Sequence, residues 1–160
     1  MLGGGIHLVD LMLGLTGQHP ATAICAGNCI ASRGTPFRYN DFVAATYLFP
    51  SGLVGRITAN LGCVYRHQHV VRVFGTQATF VSDDRGARLY KRRGSEAEAE
   101  GIGLAALPQT KGILVAGFVE AVQNGEDPSQ AARREFDLLA VCLAADRALA
   151  KGAPAAIDYD

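Results

Sequence analysis

The spacing of apolar positions changes along the chain and predicts its elements. Near the start, apolar residues recur every three to four positions, which predicts a helix over residues 5–15 that stops at Gly17. From residue 21 to residue 32, the alternating stretch ATAICAGNCIAS predicts a strand with one face of small side chains, which a helix or another sheet can approach closely. The stretch DFVAATYLFPSGLVGRITANLGC then predicts two strands joined by a turn at Pro50-Ser51-Gly52.

The middle of the chain continues this pattern before the helical spacing returns. HQHVVRVFGT, ATFVSD and ARLYKRR predict three more strands, and the aperiodic GSEAEAEGIGLAALPQ predicts an exposed connection. KGILVAGFVEAVQNG and the stretch from Ser129 to Gly152 predict two helices, and PAAIDY predicts a last short strand. The helix that begins at Ser129 carries two adjacent apolar sets. The first is a stripe of Ala132, Phe136, Leu139, Leu143 and Ala150. The second flanks it and consists of Leu138, Cys142, Ala145 and Leu149.

This order of elements predicts an α+β fold with an open, mainly antiparallel sheet and helices on one face. No repeat or linker divides the chain, so we expect a single domain over residues 1–160. The strand from Phe42 to Phe49 is apolar on both faces, and helices can cover only one of them. A second subunit is the simplest cover for the other face, so we expect a homo-oligomer.

Composition narrows the class of partner. The chain has 15 Lys and Arg residues against 15 Asp and Glu residues, which disfavours nucleic acid and anionic membranes as partners. No stretch is long and apolar enough for a membrane span, and the start lacks the basic region of a signal peptide. The four cysteines have no zinc-motif spacing, so we expect buried, reduced thiols and a cytoplasmic protein.

The opening MLGGGIHLVDLMLGLTG contains the first candidate site. His7 lies in the first turn of the predicted helix, where the helix dipole favours a neutral imidazole that can accept a proton. Asp10 follows three residues later and could orient the ring or bind a substrate hydroxyl. The same pair also fits a structural helix cap or a surface pair. The glycines before His7 follow no strand and lack the spacing of a dinucleotide-binding turn.

A second candidate site lies in VYRHQH. In an extended segment, Tyr65, His67 and His69 share one face and could line a pocket for a hydroxylated ligand. Half-buried strand residues with solvated tips fit the pattern equally well. No carboxylate or thiol stands at a spacing that would complete a metal site with the two histidines, so no metal is expected.

Several stretches, taken in order, resemble one family. GGGIHLVDLMLGLTG resembles the segment around the catalytic Asp-x-x-x-His of the glucose-fructose oxidoreductase, inositol dehydrogenase and rhizopine-catabolism family (Gfo/Idh/MocA). DFVAATYLFPSGLVGRITAN is similar to that family's strand, turn and strand pattern, and VVRVFGTQATFVSDD to its glycine-containing hairpin. The stretch from GFVEAVQNG to GAPAAI is similar to its closing helices and strand. The resemblance covers nearly the whole chain and corresponds to the family's C-terminal domain, without the N-terminal dinucleotide-binding domain.

The resemblance implies a function and a set of residues. It implies the substrate-binding and oligomerisation domain of an NAD(P)-dependent oxidoreductase that acts on a sugar, cyclitol or related polyol. His7 matches the catalytic histidine, Asp10 matches the acid after it, and Tyr65 and His67 lie near a strand with substrate contacts. NAD or NADP would be held by a separate domain and not by this chain alone. Gly3 occupies the position of the family's aspartate, which favours a non-catalytic assembly or ligand-binding module as the alternative.

Overall fold

A computed structural model of the protein describes residues 1–94, 99–103 and 113–159. The helices are α1 (Ile6–Thr16), α2 (Ile113–Gln123) and α3 (Ser129–Lys151). The strands are β1 (Thr22–Asn28), β2 (Phe42–Leu48), β3 (Val54–Asn60), β4 (Val71–Phe74), β5 (Thr79–Asp83), β6 (Gly86–Tyr90), β7 (Glu100–Ile102) and β8 (Ala155–Ala156). The chain forms two compact units, a first unit of Met1–Val64 with Asp127–Asp160 and a second unit of Tyr65–Glu126.

The first unit contains a four-stranded antiparallel sheet in the order β3-β2-β1-β8. Helices α1 and α3 pack against each other and against this sheet, α3 over β1 and α1 beside β3. Helix α3 lies close to β1, since a side-chain carbon at Gly27 would already be in contact with Leu149 Cδ2 at 3.4 Å. The core between helices and sheet includes Val9, Tyr47 and Val141, all fully buried.

Glycines end both helices of the first unit. Gly17 has a φ of 61°, and its N–H donates to the carbonyl of Leu13 at 2.9 Å. Gly152, after α3, has a φ of 62°. Both residues adopt the left-handed conformation that glycine accepts without a steric penalty, so the predicted helix ends are confirmed.

The second unit contains a four-stranded antiparallel sheet in the order β4-β5-β6-β7, followed in the chain by α2. Its central hairpin turns at Gly86, whose φ is 94°. A two-pronged ion pair braces the hairpin, since Arg88 donates to both carboxylate oxygens of Asp83 at 3.0 and 2.8 Å.

The α+β class with antiparallel sheets is therefore confirmed, and the elements differ from the predictions in detail. The predicted strand HQHVVRVFGT is shorter, because only Val71–Phe74 pairs with β5. Part of the predicted exposed connection forms β7, which pairs with β6, while residues 95–98 and 104–109 of that stretch lie outside the described residues. The grouping into two units does not test whether residues 1–160 act as one domain, which stays a prediction.

Side-chain burial distinguishes the two apolar sets on α3, and it shows that the prediction of four buried cysteines was wrong. On α3 the core face is made by Leu138, Val141, Cys142, Ala144, Ala145 and Ala148, whereas the predicted stripe residues Phe136, Leu139 and Leu143 are exposed. Of the cysteines, Cys142 is buried and Cys25 is half-buried, but Cys29 and Cys63 are exposed because they follow the ends of β1 and β3. All four are free thiols. Among the described residues, no helix combines the length and apolar character needed to cross a membrane.

Candidate functional site

The first candidate site lies at the start of α1. Gly5 precedes the helix in a helical conformation, and His7 is exposed in the first turn. In the part of the chain that the structure describes, the His7 side chain has no hydrogen bond or ion pair. Its imidazole is therefore free to approach a ligand from solvent.

The glycine segment before His7 leaves room for larger side chains at one position. A side-chain carbon at Gly3 would have no atom within 4 Å, whereas at Gly5 it would collide with Met1. Gly3 can thus be replaced by an aspartate without a steric conflict.

Asp10 contacts α3 rather than His7. Its Oδ1 accepts a hydrogen bond from Arg134 Nη2 of α3 at 3.1 Å, and both side chains are at least half exposed. The carboxylate is therefore held toward α3, and the described residues contain no hydrogen bond between Asp10 and His7. Arg134 escaped the sequence analysis because no local pattern signals that it lies beside α1.

Tyr65 and His67, the second pair of candidates, lie in the second unit and precede β4. The Tyr65 hydroxyl donates to Asp84 Oδ2 at 3.1 Å. His67 and His69 stand edge to face with ring centroids 5.1 Å apart, so the two rings do share a side of the chain. The structure thus groups the candidates as His7 with Asp10 on one helix and Tyr65 with His67 in one segment.

A cavity of about 270 Å³ lies at the end of the first unit's sheet where β1 and β3 finish. It is lined by Ala31, Ser32, Thr35, Phe37, Asp41, Leu61 and Gly62. Leu61 also approaches the glycine segment, because a side-chain carbon at Gly4 would lie 3.7 Å from Leu61 Cδ2. Sequence analysis missed this cavity, although an acid directly before an apolar strand, as Asp41 is before β2, was a visible signal.

The described residues do not fit a nicotinamide dinucleotide. Such cofactors bind at the turn of a parallel βαβ unit, whereas every strand pair described here is antiparallel. The described part of the chain also holds no group of three or more His, Cys, Asp or Glu side chains placed for a metal ion.

Comparisons with known proteins agree with this geometry. The model of the GFO/IDH/MocA C-terminal domain matches residues 1–81. No curated protein is significantly similar in sequence. Among solved structures, levoglucosan dehydrogenase in complex with NADH and levoglucosan is similar over 99% of this chain and 50% of its own, with 16% identity and a TM-score of 0.74.

Two further solved structures have the same fold. Aldose-aldose oxidoreductase from Caulobacter crescentus, complexed with glycerol, is 19% identical over 95% of this chain and 45% of its own, with a TM-score of 0.71. UDP-N-acetylglucosamine 3-dehydrogenase from Acidithiobacillus ferrooxidans is 21% identical over 91% of this chain and 45% of its own, with a TM-score of 0.67. The chain therefore spans about half the length of the solved structures it matches.

Proposed function

Because the chain belongs to the GFO/IDH/MocA family, as the match over residues 1–81 to its C-terminal domain establishes, we propose a role in sugar oxidation. In this proposal the chain is the substrate-binding and oligomerisation domain of an NAD(P)-dependent oxidoreductase that acts on a sugar, cyclitol or related polyol. The observation that carries it is the exposed His7 in the first turn of α1, at the position that resembles the family's catalytic histidine.

His7 would act as the general base. Oxidation of an alcohol removes a hydroxyl proton, and an exposed imidazole can accept it directly from a bound substrate. Asp10, held by Arg134, would bind a neighbouring hydroxyl or orient the substrate. Tyr65 and His67 of the second unit would each bind substrate hydroxyls, and Asp84 holds the Tyr65 hydroxyl within that unit.

The test of His7 uses the chain joined to a nucleotide-binding domain of this family. His7→Ala is expected to lower kcat about a hundredfold or more, since a positioned general base contributes that much. His19→Ala is the matched control, because it removes an exposed histidine from the same unit, beyond the other end of α1. Equal turnover of the His7→Ala variant and the parent would contradict the assignment.

Gly3 discriminates this proposal from its alternative. A glycine in place of the family's aspartate favours a non-catalytic assembly or ligand-binding module. Because Gly3 has open space around it, Gly3→Asp is expected to fold normally. A rise in turnover would support a proton relay with His7, and no effect from either Gly3→Asp or His7→Ala would favour the non-catalytic module.

Neither NAD nor NADP is expected to bind the isolated chain tightly, since its described strands supply no βαβ turn. Isothermal titration of the chain with each nucleotide measures this directly. Saturable binding with a micromolar dissociation constant, worth roughly 8 kcal/mol, would contradict the assignment of the cofactor to a separate domain.

Self-association would occur through the sheet face of the first unit that α1 and α3 leave uncovered. Ile24, Leu48 and Val54 are exposed there, and Leu48 and Val54 pair directly across β2 and β3. Exposed apolar side chains on neighbouring strands form the kind of surface that subunits bury.

Val54→Asp tests this surface, because a charge is costly to bury in an apolar interface. Leu15→Asp is a matched control, since Leu15 on α1 is 59% exposed and Val54 is 61% exposed. Sedimentation should show that Val54→Asp dissociates the oligomer and that Leu15→Asp does not. A parent chain that is monomeric at tens of micromolar would contradict the proposal.

The cytoplasm is the proposed location. Four free thiols, two of them exposed, suit a compartment that keeps cysteines reduced.

A further inference from the structure

We propose that the cavity lined by Asp41 and Phe37 binds a single hydroxylated ring, with the Asp41 carboxylate accepting hydrogen bonds from its hydroxyls. We call it the Asp41 cavity. It lies within the first unit, and it involves none of His7, Asp10, Tyr65 or His67.

Asp41 carries the inference because it is a nearly buried acid with few donors. The residue is 5% exposed, and its Oδ2 accepts a hydrogen bond of 2.6 Å from the backbone N–H of Ser32. Among the described residues, no Lys, Arg or His forms an ion pair with it. An ionised carboxylate has about four lone-pair sites, so most of its acceptor capacity remains available beside a cavity. A nearly buried carboxylate is stabilised by each hydrogen-bond donor that it gains, and ligand hydroxyls would supply further donors.

The other walls match the two surfaces of a sugar ring. Thr35 Oγ1 donates its proton to the Ser32 carbonyl at 2.7 Å and accepts from the Phe37 N–H at 3.2 Å, so this ordered oxygen can accept one further hydrogen bond from a ligand hydroxyl. Phe37 and Leu61 contribute apolar surface, and the Phe37 ring is braced edge to face by Tyr39 at 5.8 Å between centroids. A polyol ring presents hydroxyls at its edge and C–H groups on its face, and these walls offer a partner for each.

Size and chemistry favour a single ring over a metal ion as the ligand. The Asp41 cavity has a volume of about 270 Å³ and is open to solvent on one side, and this volume matches a single ring. A metal ion would need several carboxylate, imidazole or thiolate ligands, and the described residues bring no such group of three together.

The position of the cavity connects it to the proposed oxidoreductase, and this part of the inference rests on the proposed function. Leu61 lines the cavity and approaches Gly4, three residues before His7. The Asp41 cavity would therefore hold a part of the substrate that does not react and would select for hydroxylated compounds.

The experiment is a titration of the ¹⁵N-labelled chain with D-glucose, followed by NMR. Saturable shifts with a millimolar dissociation constant are expected at the amides of Ser32, Thr35 and Gly62. Asp41→Asn should weaken binding about tenfold or more, the usual loss for a hydrogen bond to a charged acceptor. Asp127→Asn is the matched control, since Asp127 also accepts a hydrogen bond from the N–H of a serine, Ser129, but lies away from the cavity.

A second variant keeps the test decisive if Asp41→Asn is destabilised. If Asp41→Asn lowers the melting temperature, Asp41 also supports the loop, and Phe37→Ala then decides, because Phe37 is 45% exposed and adds little to the core. Phe37→Ala should weaken binding at least about threefold, as loss of an aromatic contact does. No saturable shift, or equal binding by both variants and the parent, would overturn the proposal.

His7→Ala separates the two proposals. It should leave glucose binding at the Asp41 cavity unchanged, since His7 does not line it. Binding at the cavity without any effect of His7→Ala on turnover would refute the proposed catalytic role alone. A loss of turnover in His7→Ala without saturable glucose binding at the cavity would refute the Asp41 cavity alone.

Discussion

Strand β2 of the first unit alternates strictly, with Val43, Ala45 and Tyr47 buried beneath the helices, whereas all five residues of β5 in the second unit are only half-buried. The first unit contains a core that reaches full burial at several positions. In the described part of the second unit, Ala87 is the one buried hydrophobic residue. Each unit has a sheet of four strands, so strand pairing by itself does not create a core. The core of the first unit forms where helices pack on its sheet.

The helices show the same contrast. Helix α3 buries one face and exposes the other, as a helix packed on a sheet should. Helix α2 instead exposes an apolar set consisting of Leu114, Val115, Phe118, Val119 and Val122. The first unit therefore supplies most of the stability of the folded chain, and the second unit depends on hairpin hydrogen bonds and ion pairs such as Arg88 with Asp83.

Truncation of a core residue on α3 should produce the largest effect. Leu138 is 6% exposed and its neighbour Leu139 is 38% exposed. Leu138→Ala should lower the free energy of unfolding by about 2–5 kcal/mol, because it leaves a cavity in the core. Leu139→Ala should cost less than about 1 kcal/mol. Urea denaturation measures both, and equal losses would show that the assignment of the α3 core face is wrong.

The alkaline stability of the first unit should depend on Cys142. Burial raises the pKa of its thiol from the ordinary value of 9.0 to about 11. Above pH 9 the unfolded chain loses this proton while the folded chain keeps it, so stability falls as pH rises toward 11. The loss from this thiol is on the order of 2 kcal/mol.

Cys142→Ala should flatten the fall in unfolding free energy between pH 9 and pH 11, measured by urea denaturation at each pH. Cys29→Ala is the control, because Cys29 is exposed and its removal should leave the slope unchanged. An unchanged slope in Cys142→Ala would mean that this thiol is accessible to water in solution.

Loss of the hydroxyl from Tyr47, which is buried, and from Tyr159, which is half-buried, should change stability with opposite signs. The Tyr47 hydroxyl is buried without a hydrogen-bond partner among the described residues, whereas the Tyr159 hydroxyl donates to the Pro20 carbonyl at 2.7 Å. Tyr47→Phe should therefore stabilise the first unit by up to about 1 kcal/mol, and Tyr159→Phe should destabilise it by about 1 kcal/mol. Thermal denaturation at pH 7 distinguishes the two variants. A lower melting temperature for Tyr47→Phe would show that the Tyr47 hydroxyl has a hydrogen-bond partner in solution, such as bound water.

The smallest effect should come from the second unit. Phe118 on α2 is 66% exposed, so Phe118→Ala should change the free energy of unfolding by no more than about 0.5 kcal/mol. Leu138→Ala, which also truncates a large apolar side chain to alanine but lies in the core, is the reference for the size of the loss. A loss of more than about 2 kcal/mol would show that α2 is packed in solution and would remove the contrast between the units.

The periodicity of the sequence was sufficient to predict the helices, most strands and the α+β class. Helix α1, the β2–β3 hairpin and the stops at Gly17 and Gly152 depend on local spacing and on glycine conformation, which neighbouring residues already determine. His7 could be singled out for the same reason, because its place in the first turn of a helix is a local property.

Only the tertiary structure decided which of two equivalent patterns faces the core. On α3 the set with Leu139 and the set with Leu138 both recur at helical spacing, and packing over β1 buried the second. β7 exists because β6 offers hydrogen bonds to a segment with no periodicity of its own. The Asp10–Arg134 pair and the Asp41 cavity join residues far apart in the sequence, so they form only when α1, α3 and the ends of the strands are brought together.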